Sequence, residues 1–142
     1  MANPIELILL NRPCEMSRLQ DELELLAGQR GYPAKALHDI QLAVEEHLSN
    51  VLKYAFQDDQ LHEIKVRLDP GDATFVIEVE DDGCPFNPLE YPEPDLSLPM
   101  DQRPVGGVGI HLIRKTMDRI EYRRAGGRNY FVMTKAVKAP VP

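Results

Sequence analysis

The chain has 142 residues, enough for one domain with its own hydrophobic core. Hydrophobic residues make up 43% of it and charged residues 27%, a composition typical of soluble globular proteins. The formal net charge of −7, without a dense lysine or arginine tract, argues against direct binding of nucleic acid. The sequence contains no pattern of a signal peptide or membrane span, and Cys14 and Cys84 form no CxxC pair. We therefore expect a cytoplasmic protein with reduced thiols.

The first part of the chain is predicted to form one strand and two helices. Residues 5–10 are an apolar run typical of a strand, and Pro13 opens a helical pattern. Apolar residues at spacings of three and four give this first helix one buried face, and we expect Gly28 and Gly31 to end it. A second, longer helix is predicted to start near Pro33. Its apolar positions are Leu37, Ile40, Val44, Leu48, Val51 and Ala55.

The pattern then changes from helical to alternating. Alternation over residues 64–68 and 75–79, separated by turn residues at 69–72, predicts a hairpin. Residues 84–105 carry six prolines and no periodicity. Long structureless loops are usually either functional or disordered, so this segment is interpreted as a mobile lid, with a disordered insertion as the alternative.

The last part is predicted to form a helix over residues 106–117 and a second hairpin from 119–123 and 129–135 around a glycine-rich turn. We expect one domain over residues 1–138 and a frayed tail at 139–142. Helices and strands that do not strictly alternate favour the α+β class. The predicted architecture is a two-layer α/β sandwich, with a mixed, mostly antiparallel sheet and the helices on one face.

Three polar constellations stand out, and the first lies on the second helix. Glu46 and Asn50 are four residues apart, so they lie one above the other, away from the main apolar seam. Such a pair is often no more than a solvated helix face. Chemically, an asparagine oxygen can ligate Mg²⁺ beside phosphates, and a carboxylate one turn earlier can accept a proton from a hydroxyl. Lys53 lies on the same side, where it could approach a phosphate or face solvent.

The second constellation is the turn that follows the strand ending near Val79. Asp81 could accept a hydrogen bond from an exocyclic amine such as that of adenine. Gly83, without a side chain, would let a base approach the backbone. An ordinary Asp-Asp-Gly turn is the alternative interpretation.

The third constellation is a set of glycines at the entrance of the predicted third helix, namely Gly106, Gly107 and Gly109. Free backbone N–H groups at a helix N-terminus, together with the helix dipole, favour a bound phosphate. A flexible hinge before an ordinary helix is the alternative. The spacing matches neither a GxGxxG nor a GxxxxGK[ST] motif, so Rossmann and P-loop sites fit poorly.

In this order, the three constellations resemble the N, G1 and G2 boxes of the GHKL (Bergerat-fold) ATPase superfamily. The resemblance is carried by the strings VEEHLSNVLKYAF, DDGCPFNP, GGVGIHLIRKTMDRIEY and GGRNYFVMTK, and it spans residues 5–135. The chain is most similar to the anti-sigma-factor serine/threonine kinases of that superfamily. Histidine kinases usually lack a glutamate at the position of Glu46, and this chain shows no separate helix with a phosphoacceptor histidine.

The resemblance implies a role for each residue. Glu46 would be the general base that activates a serine hydroxyl, and Asn50 would ligate Mg²⁺. Asp81 would bind the adenine amine, and Gly83 would lie under the base. The phosphates of ATP would be held by Gly106, Gly107 and Gly109, with Lys53 as a further contact.

The function implied is an ATP- and Mg²⁺-dependent protein kinase that phosphorylates a serine of an anti-anti-sigma (STAS) protein. Further implied partners are a sigma factor and a second copy of the chain in a homodimer. No nucleic acid and no membrane are expected as direct partners. The alternative is a nucleotide-binding module that sequesters a sigma factor or another regulator without phosphotransfer, and a third possibility is an adaptor that binds no nucleotide.

Overall fold

The structure is a computed structural model that describes residues 4–90 and 107–138. In that part of the chain the strands are β1 (Ile5–Leu10), β2 (Glu63–Pro70), β3 (Thr74–Asp81), β4 (Arg119–Ala125) and β5 (Arg128–Ala136), and the helices are α1 (Met16–Arg30), α2 (Ala34–Asn50) and α3 (Gly107–Thr116). Gly106, the lid beyond residue 90 and the tail at 139–142 lie outside the described residues.

The strands form one sheet in the order β1-β2-β3-β5-β4. All four strand pairings described are antiparallel, so the predicted mostly antiparallel sheet is confirmed, and no parallel pairing occurs in the described residues. Strands β3 and β5 lie at the centre, and their register places Asp81 opposite Asn129. The end of β3 therefore lies between neighbouring strands, and Asp81 at this end is buried.

The helices cover one face of this sheet. Alternate residues of β2, β3 and β5 are buried, as the pleat of a strand requires. Buried residues from α1, α2 and α3 join these strand residues in one hydrophobic cluster. Its fully buried members include Leu19, Leu23, Ile40, Val44, Ile64, Leu68, Phe75, Ile77, Ile110, Ile113, Phe131 and Met133. The predicted two-layer α/β sandwich is confirmed.

The predicted helix ends are confirmed in part. Helix α1 continues through Gly28, but it ends at Gly31 as predicted, and the φ of 68° there is the left-handed conformation that glycine adopts without strain. Helix α2 does not run to Ala55 as a regular helix. It ends at Asn50 and continues as a π-helical turn, Val51–Ala55. No helix within the described residues combines the length and the apolar character needed to cross a membrane.

A buried ion pair joins the two layers. Lys135 Nζ on β5 lies 2.9 Å from Asp39 Oδ2 on α2 and donates to the Thr116 carbonyl at the end of α3. Asp39 also receives a hydrogen bond from the exposed Lys35. Burial alone would raise the pKa of Asp39, but the two ammonium groups outweigh it and hold that pKa below its usual value. One lysine thus fixes α2 and α3, the two helices that carry the predicted site, against the sheet.

Candidate nucleotide site

The predicted pair on α2 is not an ordinary solvated face. Asn50 is 7% exposed, and Glu46, one turn earlier, is half-buried. Within residues 4–90 and 107–138, neither side chain forms a hydrogen bond or ion pair. The residue as a whole is nearly buried, but its amide atoms still reach the surface, so they are accessible to water or to a ligand.

A π-helical turn follows Asn50 directly. Such turns are rare and frequently occur at functional sites, because the extra residue per turn redirects the side chains and carbonyls around it. Lys53 lies on this turn and is exposed. The carbonyl of Ala55 at its end accepts a hydrogen bond of 2.8 Å from the Cys84 N–H, just beyond β3. The end of the α2 segment is therefore attached to the turn that carries Gly83.

Gly83 is where these two segments touch. A Cβ atom added there would lie 2.5 Å from the Ala55 carbonyl oxygen and 2.7 Å from its Cβ. Any side chain at position 83 would force the turn away from the π-helical segment. The structure thus gives a reason for glycine that the sequence did not suggest, and contact between Gly83 and a base stays a prediction.

Asp81 is the last residue of β3 and is 2% exposed. Its Oδ1 accepts hydrogen bonds from the Gly83 N–H and from Asn129 Nδ2, both at 2.9 Å. Burial raises the pKa of Asp81, while these two donors and the nearby charge of Arg124 act in the opposite direction. Binding of the adenine amine by this carboxylate stays a prediction.

Asn129 is the site residue that the sequence analysis missed. It is 3% exposed at the start of β5, and its amide bonds to Asp81, to the Cys84 carbonyl and to side chains of β4. A signal was present in the sequence: Asn129 occupies the inward phase of an alternating strand, ahead of Phe131 and Met133. A polar residue in that phase must find buried hydrogen-bond partners.

The first residues of the predicted lid are anchored. Phe86 stacks on Tyr54 of the π-helical turn with ring centroids 5.7 Å apart, and its N–H donates to Asn129 Oδ1. The Leu89 carbonyl accepts a hydrogen bond of 2.9 Å from Arg114 on α3. Residues 84–90 therefore connect the end of the α2 segment, β5 and α3, and the mobility of the lid stays a prediction.

The glycines of the predicted phosphate cradle are only partly described. Helix α3 begins at Gly107, and Gly109 lies in its first turn, as expected for a helix with a glycine-rich entrance. The segment packs through Ile110 and Ile113 into the core shared with α2. Binding of phosphate there stays a prediction.

The residue after Glu46 is a buried histidine. The His47 ring is 3% exposed and stacks on Phe131 with centroids 4.1 Å apart. Neither ring nitrogen has a hydrogen-bond partner, and burial lowers the pKa of His47 to about 3. It is therefore a neutral packing residue beneath the site, and it takes no part in proton transfer near neutral pH.

These residues fit ATP with Mg²⁺. The described residues contain no cluster of three His, Cys, Asp or Glu side chains able to hold a metal by itself. Mg²⁺ binding through phosphates, water and one protein oxygen needs no such cluster. Asn50 offers that oxygen, and Asp81 offers an acceptor for the base. The π-helical turn that follows Asn50 ends at Ala55, and Ala55 lies against Gly83, two residues after Asp81.

Comparison with known proteins identifies the family of the chain. A family model described as "Histidine kinase-like ATPase domain" matches residues 9–135. The chain is 25% identical over 131 residues to the serine-protein kinase RsbW of Bacillus subtilis, covering 89% of this chain and 81% of that protein. It is 28% identical over 141 residues to RsbW of Listeria monocytogenes, covering 96% and 89%. It is also 26% identical over 112 residues to the serine/threonine-protein kinase BtrW of Bordetella bronchiseptica, covering 79% of each.

Solved structures agree on the fold. The RsbU and RsbW domains of Rv1364c from Mycobacterium tuberculosis match with a TM-score of 0.68 and 15% identity. That match covers 98% of this chain but only 34% of the other. The histidine kinase domain of the blue-light activated kinase EL346 from Erythrobacter litoralis matches with a TM-score of 0.52 and 17% identity, covering 87% of this chain and 60% of that one. Since the family model covers nearly the whole described chain, the protein belongs to the histidine kinase-like ATPase domain family of the GHKL type.

Proposed function

We propose that this protein is an ATP-dependent serine/threonine protein kinase of the anti-sigma type. Its substrate would be a serine on a small anti-anti-sigma (STAS) protein, and its regulatory target would be a sigma factor. Family membership and three relatives named as serine or serine/threonine kinases support the kinase class. As in that class, a homodimer is the expected assembly.

One observation carries the proposal at the level of chemistry. Asn50 is 7% exposed and lies one turn after a half-buried glutamate and five residues before the contact with Gly83. Its amide reaches the surface and has no hydrogen-bond partner within residues 4–90 and 107–138. An amide oxygen in this state is open to a cation when nucleotide and Mg²⁺ bind.

The proposed reaction follows from these positions. The substrate serine oxygen bonds to the γ-phosphorus of ATP while the bond to the β–γ bridging oxygen breaks, and ADP leaves. Glu46 accepts the proton of the serine hydroxyl. Mg²⁺, when bound, neutralises charge on the β- and γ-phosphates. Asn50 would ligate it, and Asp81 would fix the adenine so that the phosphates reach the N-terminus of α3.

Nucleotide binding is the first test, measured by titration calorimetry with ATP and Mg²⁺. We expect Asp81→Asn to weaken ATP binding roughly 10- to 100-fold, because a charged hydrogen bond to the base is lost. The matched control is Asp82→Asn, which changes the neighbouring exposed carboxylate. If the parent binds no ATP, or if the two variants behave alike, the nucleotide site is wrongly assigned.

Phosphotransfer is the second test, with γ-labelled ATP and purified STAS proteins of the same organism as acceptors. Glu46→Gln should slow transfer roughly 100- to 10,000-fold while leaving ATP affinity unchanged, as expected when a general base is removed. Glu45→Gln on the same helix turn is the control, since Glu45 is exposed. Normal transfer by Glu46→Gln would contradict the proposed base. Stable binding of ATP and a sigma factor with no transfer by the parent would favour the binding module instead.

A further inference from the structure

The two oxygens of the Asp81 carboxylate differ in their surroundings. Oδ1 accepts two hydrogen bonds, from the Gly83 N–H and from Asn129 Nδ2. Within residues 4–90 and 107–138, the structure gives Oδ2 no hydrogen bond. The carboxylate is therefore held by one oxygen, and the other remains available to a ligand.

The hydrogen-bonding capacity of Asn129 is fully used. Its Nδ2 donates to Asp81 Oδ1 at 2.9 Å and to the Cys84 carbonyl at 2.8 Å. Its Oδ1 accepts from the Tyr122 hydroxyl at 2.6 Å, from Arg124 Nη1 at 3.1 Å and from the Phe86 N–H at 3.3 Å. An asparagine side chain offers two donors and one acceptor oxygen, so no group of it is left over.

This pattern permits only one orientation of the amide. If the amide were rotated by 180°, its oxygen would face Asp81 Oδ1 and its NH₂ would face the Tyr122 hydroxyl and the Arg124 guanidinium. The first contact would bring two acceptors together. The second would place the amide NH₂ against the Arg124 guanidinium, which can only donate. Arg124 on the edge strand β4 therefore determines that Asn129 donates to Asp81, and the hydrogen bond from the Tyr122 hydroxyl of the same strand stabilises that orientation.

We propose that Asn129 is a positioning residue for base recognition: it holds Asp81 so that Oδ2 alone faces the amino group of the base, and Tyr122 and Arg124 hold Asn129 in turn. The inference rests on the proposed binding of ATP and adds to it the reason why this site takes a purine with an amino group. A keto group at the same position of the base would meet the lone pairs of Oδ2 and be rejected.

Asn129 also keeps Asp81 in the form that accepts a hydrogen bond. Burial and the neighbouring charge of Asp82 raise the pKa of Asp81, whereas Asn129, Gly83 and Arg124 lower it. Without Asn129, only one donor would remain on the carboxylate. The pKa of Asp81 would then rise further, which favours the protonated carboxyl that no longer accepts a hydrogen bond at that oxygen.

The test compares affinities for ATP and for inosine triphosphate, which has a keto group in place of the amine, from pH 5.5 to 8. We expect Asn129→Ser to lower ATP affinity about tenfold at pH 7 and to reduce the preference for ATP over inosine triphosphate. The pH at which half of the ATP affinity is lost should move up, because the pKa of Asp81 rises when the Asn129 donor is removed. Tyr122→Phe should lower ATP affinity about threefold. Tyr130→Phe is its matched control, on the other face of the sheet, and should change nothing.

A nucleotide-free measurement separates this inference from the proposed function. The Asp81 carboxyl carbon can be titrated by NMR in the parent and in Asn129→Ser, and its pKa should be higher in the variant. If the parent binds no ATP, the proposed function fails, and this titration alone decides whether Asn129 sets the carboxylate. An unchanged Asp81 titration, or an unchanged pH profile and base preference, overturns the proposal. If Asn129→Ser does not fold, equal ATP affinity of Tyr122→Phe and Tyr130→Phe overturns it.

Discussion

The buried His47 should make this protein lose stability on mild acidification. Its pKa lies near 3 in the folded protein and near 6.5 in the unfolded chain, so the unfolded state takes up the proton first as the pH falls. Stability is therefore lost from about pH 6.5 downward and continues to fall until the folded-state pKa is passed. With these two values, His47 alone destabilises the fold by about 2 kcal/mol between pH 7 and pH 5.

Substitution by leucine isolates this effect. His47→Leu keeps an apolar group against Phe131 and removes two ring nitrogens that are buried without partners. We therefore expect the variant to be as stable as the parent at pH 7.5, or more stable by up to about 1 kcal/mol. At pH 5 the variant should be more stable than the parent by an additional 2 kcal/mol or so.

Urea unfolding followed by circular dichroism, at one protein concentration and at several pH values, measures both differences. Other groups titrate in the same range, including His62, whose pKa is raised mainly by its hydrogen bond to Asp58 and which therefore adds stability at low pH. These contributions cancel when variant and parent are compared at each pH. His38→Gln, which removes an exposed histidine of the same helix, is the matched control variant. Equal pH dependence of parent and His47→Leu would refute the reasoning.

Two further predictions use paired variants and the same unfolding assay. Gly83→Ala should destabilise the fold by about 1–3 kcal/mol because its methyl group would clash with backbone, whereas Gly28→Ala, inside α1 with nothing within 4 Å, should stabilise it by about 0.5–1 kcal/mol. A neutral Gly83→Ala would contradict the close contact. Lys135→Met should destabilise the fold by roughly 3 kcal/mol by leaving Asp39 buried beside an exposed lysine, whereas Lys35→Met should change it by less than about 1 kcal/mol. Equal effects of the two lysine variants would contradict the assigned importance of the buried pair.

The order and type of the elements could be predicted because hydrophobic periodicity reports directly which face of each element is buried. Residues 64–68 and 75–79 alternate, and both are strands with one buried face. The end of α1 was less well predicted, because a glycine both terminates helices and occurs within them. Only its backbone angle distinguishes the two cases: Gly31 has a positive φ and Gly28 does not.

The candidate site could be predicted only as far as it consists of local sequence. Glu46 and Asn50 are one turn apart on a helix, and Asp81 and Gly83 lie in one turn, so spacing alone brings each pair together. Asn129 is 48 residues from Asp81 and becomes its neighbour only through the register of β3 and β5. Its role depends on pairing between distant strands, which periodicity within one segment does not report.

The two halves of the site differ in how far they are organised before a ligand binds. On the base side, Asp81 is held by Gly83 and Asn129, so little rearrangement should accompany recognition of the adenine. On the phosphate side, Glu46 and Asn50 have no hydrogen-bond partner in the described residues and would acquire one only with nucleotide and Mg²⁺. Groups that are already ordered in the free protein lose little conformational entropy when a ligand binds, so they contribute more to affinity and to base preference. It follows that adenosine without phosphates should already show the preference set by Asp81, while substitution of Asn50 should weaken only the Mg²⁺-dependent part of ATP binding.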